Sequence, residues 1–219
     1  MYDLLAALAV VNSQWAIPNV DAQEVDRDQR IYSISIAEQR AADHATCSGQ
    51  WASVEKCKPI IGDRNLAAAF VSVLPVVESN LRRNVGAGEC KLWECDPVQW
   101  RIKGVVHVRH QARSYWQLHR VPVWTDERWD GIEGLSQEAT DNAAWEAMKL
   151  LAGGYAVCRT VEGAFTYYAT SKSCRSAVFE KKAKHRAALV ESVRNRLAKL
   201  QWEPVTGDSQ KVASAKGDK

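Results

Sequence analysis

At 219 residues the chain is long enough to bury one good core, and 46% apolar with 25% charged residues is globular composition, neither disordered nor fibrous. A net charge of +3 is far below the basic excess of a nucleic-acid binder, so nucleic acid is excluded as an expected partner. No apolar run is long enough to span a bilayer, so no transmembrane segment is expected either.

Leu4, Leu8, Val11 and Trp15 fall at helical spacing and predict a first helix over residues 2–17, ended by Pro18. Asp3 stands where a secretory leader would be basic, and no small-residue cleavage site follows. The apolar start is therefore read as structure. Asp21 is placed to cap a second helix running to about Ala45, although Ile31–Ile36 alternates apolar and polar residues and also fits a short strand. Cys47 to Gly62 is punctuated by Ser-Gly, Lys-Pro and Ile-Gly-Asp and reads as a loop.

Asp63 can cap a helix over residues 64–78. Leu66 to Val77 is apolar apart from Ser72 and Pro75, and Pro75 should kink the last turn. Glu78 closes that run. A carboxylate held against apolar surface loses hydration, its neutral form is favoured, and it suits a general acid working near neutral pH. The competing reading is that Glu78 is the first solvated residue after a core helix.

Residues 82–97 should be irregular, with Gly86, Gly88, Cys90 and Cys95, and Gly104–Arg109 could form one strand of a small hairpin. Ser136 caps a helix over residues 137–152, closed by Gly153-Gly154. Residues 163–170 make one or two helical turns. Arg175 to Gln201 is a long basic amphipathic helix with Val178, Ala183, Ala187, Val190, Val193 and Leu197 on its apolar side. Its charged face is a solvated surface, or a contact for anionic wall polymer or another subunit. From Pro204 the polar composition predicts a disordered tail. The organisation expected is an N-terminal helical segment (1–45), a central domain (46–175), a basic helix packed on it (176–203) and the tail (204–219).

The six cysteines (Cys47, Cys57, Cys90, Cys95, Cys158, Cys174) fall in three sequential pairs, which suggests three local disulfides and an oxidising compartment. Connectivity is not fixed by the sequence. Cys90-x4-Cys95 followed by His107 and His110 also has the outline of a two-Cys, two-His zinc site, with histidines closer together than usual. His107, His110 and His119 could bind a metal or tune a cleft. No metal ligand set and no cofactor is assigned. Nine tryptophans are many for this length; Trp93, Trp116, Trp124 and Trp129 are candidate faces for sugar rings, with core packing as the alternative.

Three segments in order, Val77-Glu78-Ser79-Asn80, Ala112-Arg113-Ser114-Tyr115-Trp116-Gln117 and Ala164-Phe-Thr-Tyr-Tyr168-Ala-Thr-Ser171, give the chain a family likeness. It resembles the goose-type lysozyme and soluble lytic transglycosylase group of the lysozyme-like superfamily, in a cysteine-rich form like phage or bacterial cell-wall lysins. The resemblance spans roughly residues 60–175. It implies a mainly α fold, a lysozyme-like helical domain with a small hairpin or loop subdomain closing a sugar cleft, stapled by disulfides.

By that resemblance Glu78 is the catalytic acid, Ser79 the serine that follows it, Gln117 the glutamine lining the cleft and Tyr168 the tyrosine facing the acid, with Tyr167 able to take its place. Trp116 and Tyr115, beside Gln117, are further substrate-binding candidates. Ser114 and Tyr115-Trp116 stand where the group has Gly and Leu-Met, Ala169 where it has Asn, and Ser171 where it has Gly.

The activity implied is cleavage of the β-1,4 bond between N-acetylmuramic acid and N-acetylglucosamine, by a lytic transglycosylase or a lysozyme-type muramidase. A two-carboxylate route needs a partner for Glu78, and Glu89, Glu94 and Asp96 are the nearby candidates. The partner expected is the peptidoglycan glycan strand. The location expected is extracytoplasmic, or associated with a virion or cell envelope. The rival expectation is a non-catalytic relative that binds glycan or serves as a structural virion or envelope part.

Overall fold

The computed structural model describes residues 4–15, 27–91, 93–103 and 105–202. The expected stop at Pro18, the cap at Asp21 and the tail from Pro204 lie outside these residues. Everything is arranged around α3 (Arg64–Ser79). Asp63 Oδ1 accepts the Leu66 amide at 3.0 Å, satisfying one of the helix's orphan donors. From Leu66 to Pro75 every residue is buried. A helix apolar on all sides has to be enclosed by others. Here α1 (Leu4–Trp15), α2 (Arg27–Thr46), α6 (Gln137–Cys158) and α8 (Glu180–Trp202) surround it, and α7 (Val161–Thr170) fills the space between α6 and α8. The segments expected as N-terminal piece, central domain and C-terminal helix thus contribute to one continuous core.

In α2 the short-strand alternative fails. Ile31, Ile34, Ala37, Ala41 and Ala45 are all buried, and they recur every three or four residues, the period of a helix face. Ser136 caps α6 as expected, its Oγ accepting the Ala139 amide at 3.1 Å. The predicted stop at Gly153-Gly154 is wrong: the helix continues to Cys158 and ends at Arg159 in the left-handed conformation, φ 60°. The glycine serves packing instead. A Cβ on Gly154 would lie 3.0 Å from the Ala164 carbonyl oxygen, so its absence lets α7 approach. The basic helix also begins later than expected, at Glu180, so Val178 is outside it and exposed. Ala183, Val190, Val193 and Leu197 are buried as its apolar face requires.

Between α3 and α6 the chain is short-ranged. A four-residue α4 (Arg83–Gly86) leads to an antiparallel hairpin of β1 (Pro97–Ile102) and β2 (Val105–His110), with Pro97 opposite His110 and Ile102 opposite Val105. Next β3 (Ala112–Arg113) pairs with β4 (Leu118–His119), followed by α5 (Asp126–Asp130) capped by Thr125. Disulfides join Cys47 to Cys57, Cys90 to Cys95 and Cys158 to Cys174, the three local pairings the spacing suggested. The protein is mainly helical and disulfide-bonded. No helix among the described residues is long and apolar enough to cross a membrane.

Candidate functional site

Pro75 explains how the end of α3 is built. Having no N–H, it leaves the Val71 carbonyl, four residues back, without its intrahelical donor. The Trp116 indole N–H supplies one at 2.8 Å. Past Pro75, the Ser79 hydroxyl donates to the Pro75 carbonyl at 2.7 Å and accepts the Leu81 amide at 3.2 Å. Asn80 takes the left-handed conformation at φ 51° and stops the helix. Glu78 is left at the last turn, at the wall of a cleft of about 780 Å³.

The cleft is assembled from distant parts of the chain. Glu78 comes from α3, Gln117 from the β3–β4 turn and Tyr168 from α7. Trp93 and Asp96 come from the Cys90–Cys95 loop and its edge, and Lys182 and Arg186 from α8. Glu78, Gln117 and Tyr168, three of the six residues given site roles by the resemblance, therefore share one cavity. Tyr167, the alternative tyrosine, lines it as well, as do Ala169 and Ser171. The Tyr168 hydroxyl donates to the Trp116 carbonyl at 2.8 Å. Gln117 sits at φ 49° in the tight turn and donates its side-chain amide to the Ser114 carbonyl at 3.0 Å.

The other three candidates, Ser79, Tyr115 and Trp116, are not among the residues that line the cleft. Trp116 is fully buried, held by the Val71 carbonyl that Pro75 freed, so neither ring face is available to a sugar. Tyr115 is buried with its ring so close to Gly86 that a Cβ there would fall 2.1 Å from Cζ. Ser79 spends its hydroxyl on the helix terminus. Trp124 and Trp129 are likewise core residues, packed on one another with ring centroids 5.9 Å apart. Trp93 is the opposite case. It is 73% exposed at the cleft, a large apolar face given to water.

Two opposed influences act on Glu78. Burial raises its pKa above the ordinary value, while Arg186, Lys182 and His119 pull it down; burial prevails. Arg186 Nη2 lies 2.6 Å from Glu78 Oε1. Burial and the Glu78 charge together hold the Tyr168 hydroxyl above the usual phenol range, so it stays a donor. Arg186 was not anticipated from sequence. It is next to Ala187 and three positions after the buried Ala183, on the flank of the apolar face of α8, and that flank was the available signal.

Of the proposed second carboxylates, Glu94 is buried and committed: it accepts from Asn84 Nδ2 at 2.6 Å and the Lys91 amide at 2.9 Å, and pairs with Arg82. Glu89 is exposed and is not among the cleft residues. Asp96 opens into the cleft, 3.4 Å from His119 Nε2. The zinc outline is lost because Cys90 and Cys95 are bonded to each other and a disulfide offers no thiolate. His110 Nδ1 instead lies 2.8 Å from the Glu94 carbonyl oxygen. Comparisons with protein-family models, curated proteins and solved structures find no match to this chain.

Proposed function

We propose that this chain is a peptidoglycan-cleaving glycosidase, a lytic transglycosylase or lysozyme-type muramidase acting on the β-1,4 bond between N-acetylmuramic acid and N-acetylglucosamine. One observation carries the reading. A carboxyl at the end of a buried, largely apolar helix, with its pKa raised by burial, shares a cleft with a phenol and a primary amide. Glu78 protonates the leaving glycosidic oxygen as oxocarbenium character grows on the muramoyl ring. The resulting carboxylate then takes the proton from the muramoyl 6-hydroxyl as that oxygen attacks the anomeric carbon, which restores Glu78 and gives an anhydro sugar. Asp96 would serve a second route, in which water attacks and the product keeps a reducing end. Trp93 offers a flat apolar face on which a pyranose ring can rest. Three disulfides suit an oxidising, extracytoplasmic setting or a virion.

The test is to digest purified peptidoglycan with the full chain and weigh the released fragments. Anhydro-muramoyl ends are expected; reducing ends, heavier by one water, would assign the hydrolytic route. If no glycan fragment is released, the proposal is wrong.

A second reading is favoured by the ion pair between Glu78 and Arg186. A carboxylate neutralised by an arginine from another helix is a common structural tie, and it fits a non-catalytic glycan-binding or virion or envelope protein. In that case the chain pellets with peptidoglycan and leaves its mass unchanged.

A further inference from the structure

We propose that the β1–β2 hairpin is a docking surface for an anionic lipid bilayer. The register puts Val98, Trp100 and Ile102 of β1 on the same face as Val105, His107 and Arg109 of β2. Among the described residues this face is left largely open to solvent. Val98 is 39% exposed, Trp100 41%, Ile102 51% and Val105 59%, with exposure rising toward the turn at Lys103. Trp100 and His107 stack across the strands, centroids 5.7 Å apart, so the indole is held on a rung just behind the apolar tip.

Charge identifies the occupant. Residues 97–110 contain Arg101, Lys103 and Arg109 and no Asp or Glu, so this hairpin alone carries as much net charge as the whole chain, +3. All three cations are exposed. An aliphatic tip, an indole one rung behind it and flanking cations match the layers of a bilayer surface: acyl chains, interfacial region and anionic headgroups. A hydrated wall polyanion would satisfy the cations but leave Ile102 and Val105 in water, so the apolar tip argues for lipid. The root of the hairpin is tied to the rim of the cleft. The Gln111 and Ala112 amides donate to the Cys95 carbonyl at 3.1 and 3.0 Å, beside the cleft residue Asp96.

The experiment is co-sedimentation of the full chain with vesicles of phosphatidylglycerol and phosphatidylcholine, or of phosphatidylcholine alone, at low and at physiological salt. Binding is expected to the anionic vesicles and to weaken with salt. Two double variants, Ile102→Asp with Val105→Asp and Arg101→Glu with Lys103→Glu, should each lower the partition coefficient at least about tenfold. Circular dichroism confirms that each is folded, and because one pair removes apolar contact and the other charge, either can be read if the other misfolds. Unchanged binding by folded variants, binding to anionic wall polymer without binding to vesicles, or no vesicle binding at all would each overturn the proposal. None of these readouts depends on glycosidase activity.

Discussion

Replacing Glu78 with Gln is expected to lower the rate of glycan release by about 100- to 10,000-fold, the usual contribution of one general acid–base group. The substitution keeps the side-chain length and an oxygen for Arg186, so the link from α3 to α8 is weakened rather than removed. Fragment release followed over time, with urea unfolding as a control, separates the two effects. A folded variant that still clears peptidoglycan at the wild-type rate would rule out Glu78 as the acid. The pH dependence has a fixed sign. Glu78 acts in its protonated form, so activity falls as pH rises through its pKa, which burial raises. Arg186 opposes that rise through its charge and hydrogen bond. Arg186→Met therefore should move the alkaline limb of the rate profile to higher pH. A shift in the other direction would show that Arg186 acts on some group other than this carboxyl.

How far the sequence shows this site depends on whether a residue's setting is local. The N-cap at Asp63, the apolar run after it and the charge at its end lie within one helix, and periodicity exposes them. The pairing of neighbouring cysteines is legible for the same reason: short loops keep the partners close. Trp116 is different. Its burial follows from Pro75, because the carbonyl that the proline leaves unsatisfied takes the nearest suitable N–H, and that donor is distant in sequence. The rule that proline orphans a carbonyl four residues back was enough to look for a buried donor, though not to name it. Gly153-Gly154 fails as a helix stop because α7 packs close at Gly154, a tertiary demand that overrides local propensity. Arg186 reaches Glu78 only once α8 lies against α3, so a basic helix face read alone looks solvated.

Stability should fall as pH rises from about 4.5 to 8, and Glu38→Gln should abolish that part of the decline. Glu38 is fully buried where α1 meets α2. Asn12 Nδ2 donates to Glu38 Oε2 at 2.7 Å and to Ser35 Oγ at 3.0 Å, leaving Glu38 Oε1 and Asn12 Oδ1 without hydrogen-bond partners among the described residues. Burial pushes the carboxyl up to about 8, against the smaller opposing effect of Asn12. The folded state therefore keeps a proton that the unfolded chain has released above its ordinary value of 4.5. Folding is favoured by this group below that value, loses up to about 1.4 kcal/mol per pH unit across the window, and levels off above 8. A glutamine fills the same space, cannot ionise, and keeps a donor where the protonated carboxyl has one, beside Asn12 Oδ1. Urea unfolding of both proteins at pH 5, 6, 7 and 8 gives the comparison, and the difference between them cancels the other titrating groups. The variant should gain on wild type steadily across the series. Parallel curves would mean that Glu38 keeps its charge in the folded state, and the ionised carboxylate would then have to be held by a group beyond Asn12. The helix at risk is α1, whose Leu4, Leu8 and Val11 are buried in the core on the same side as Asn12. An ionised Glu38 would therefore weaken the docking of the N-terminal helix before it reached the cleft.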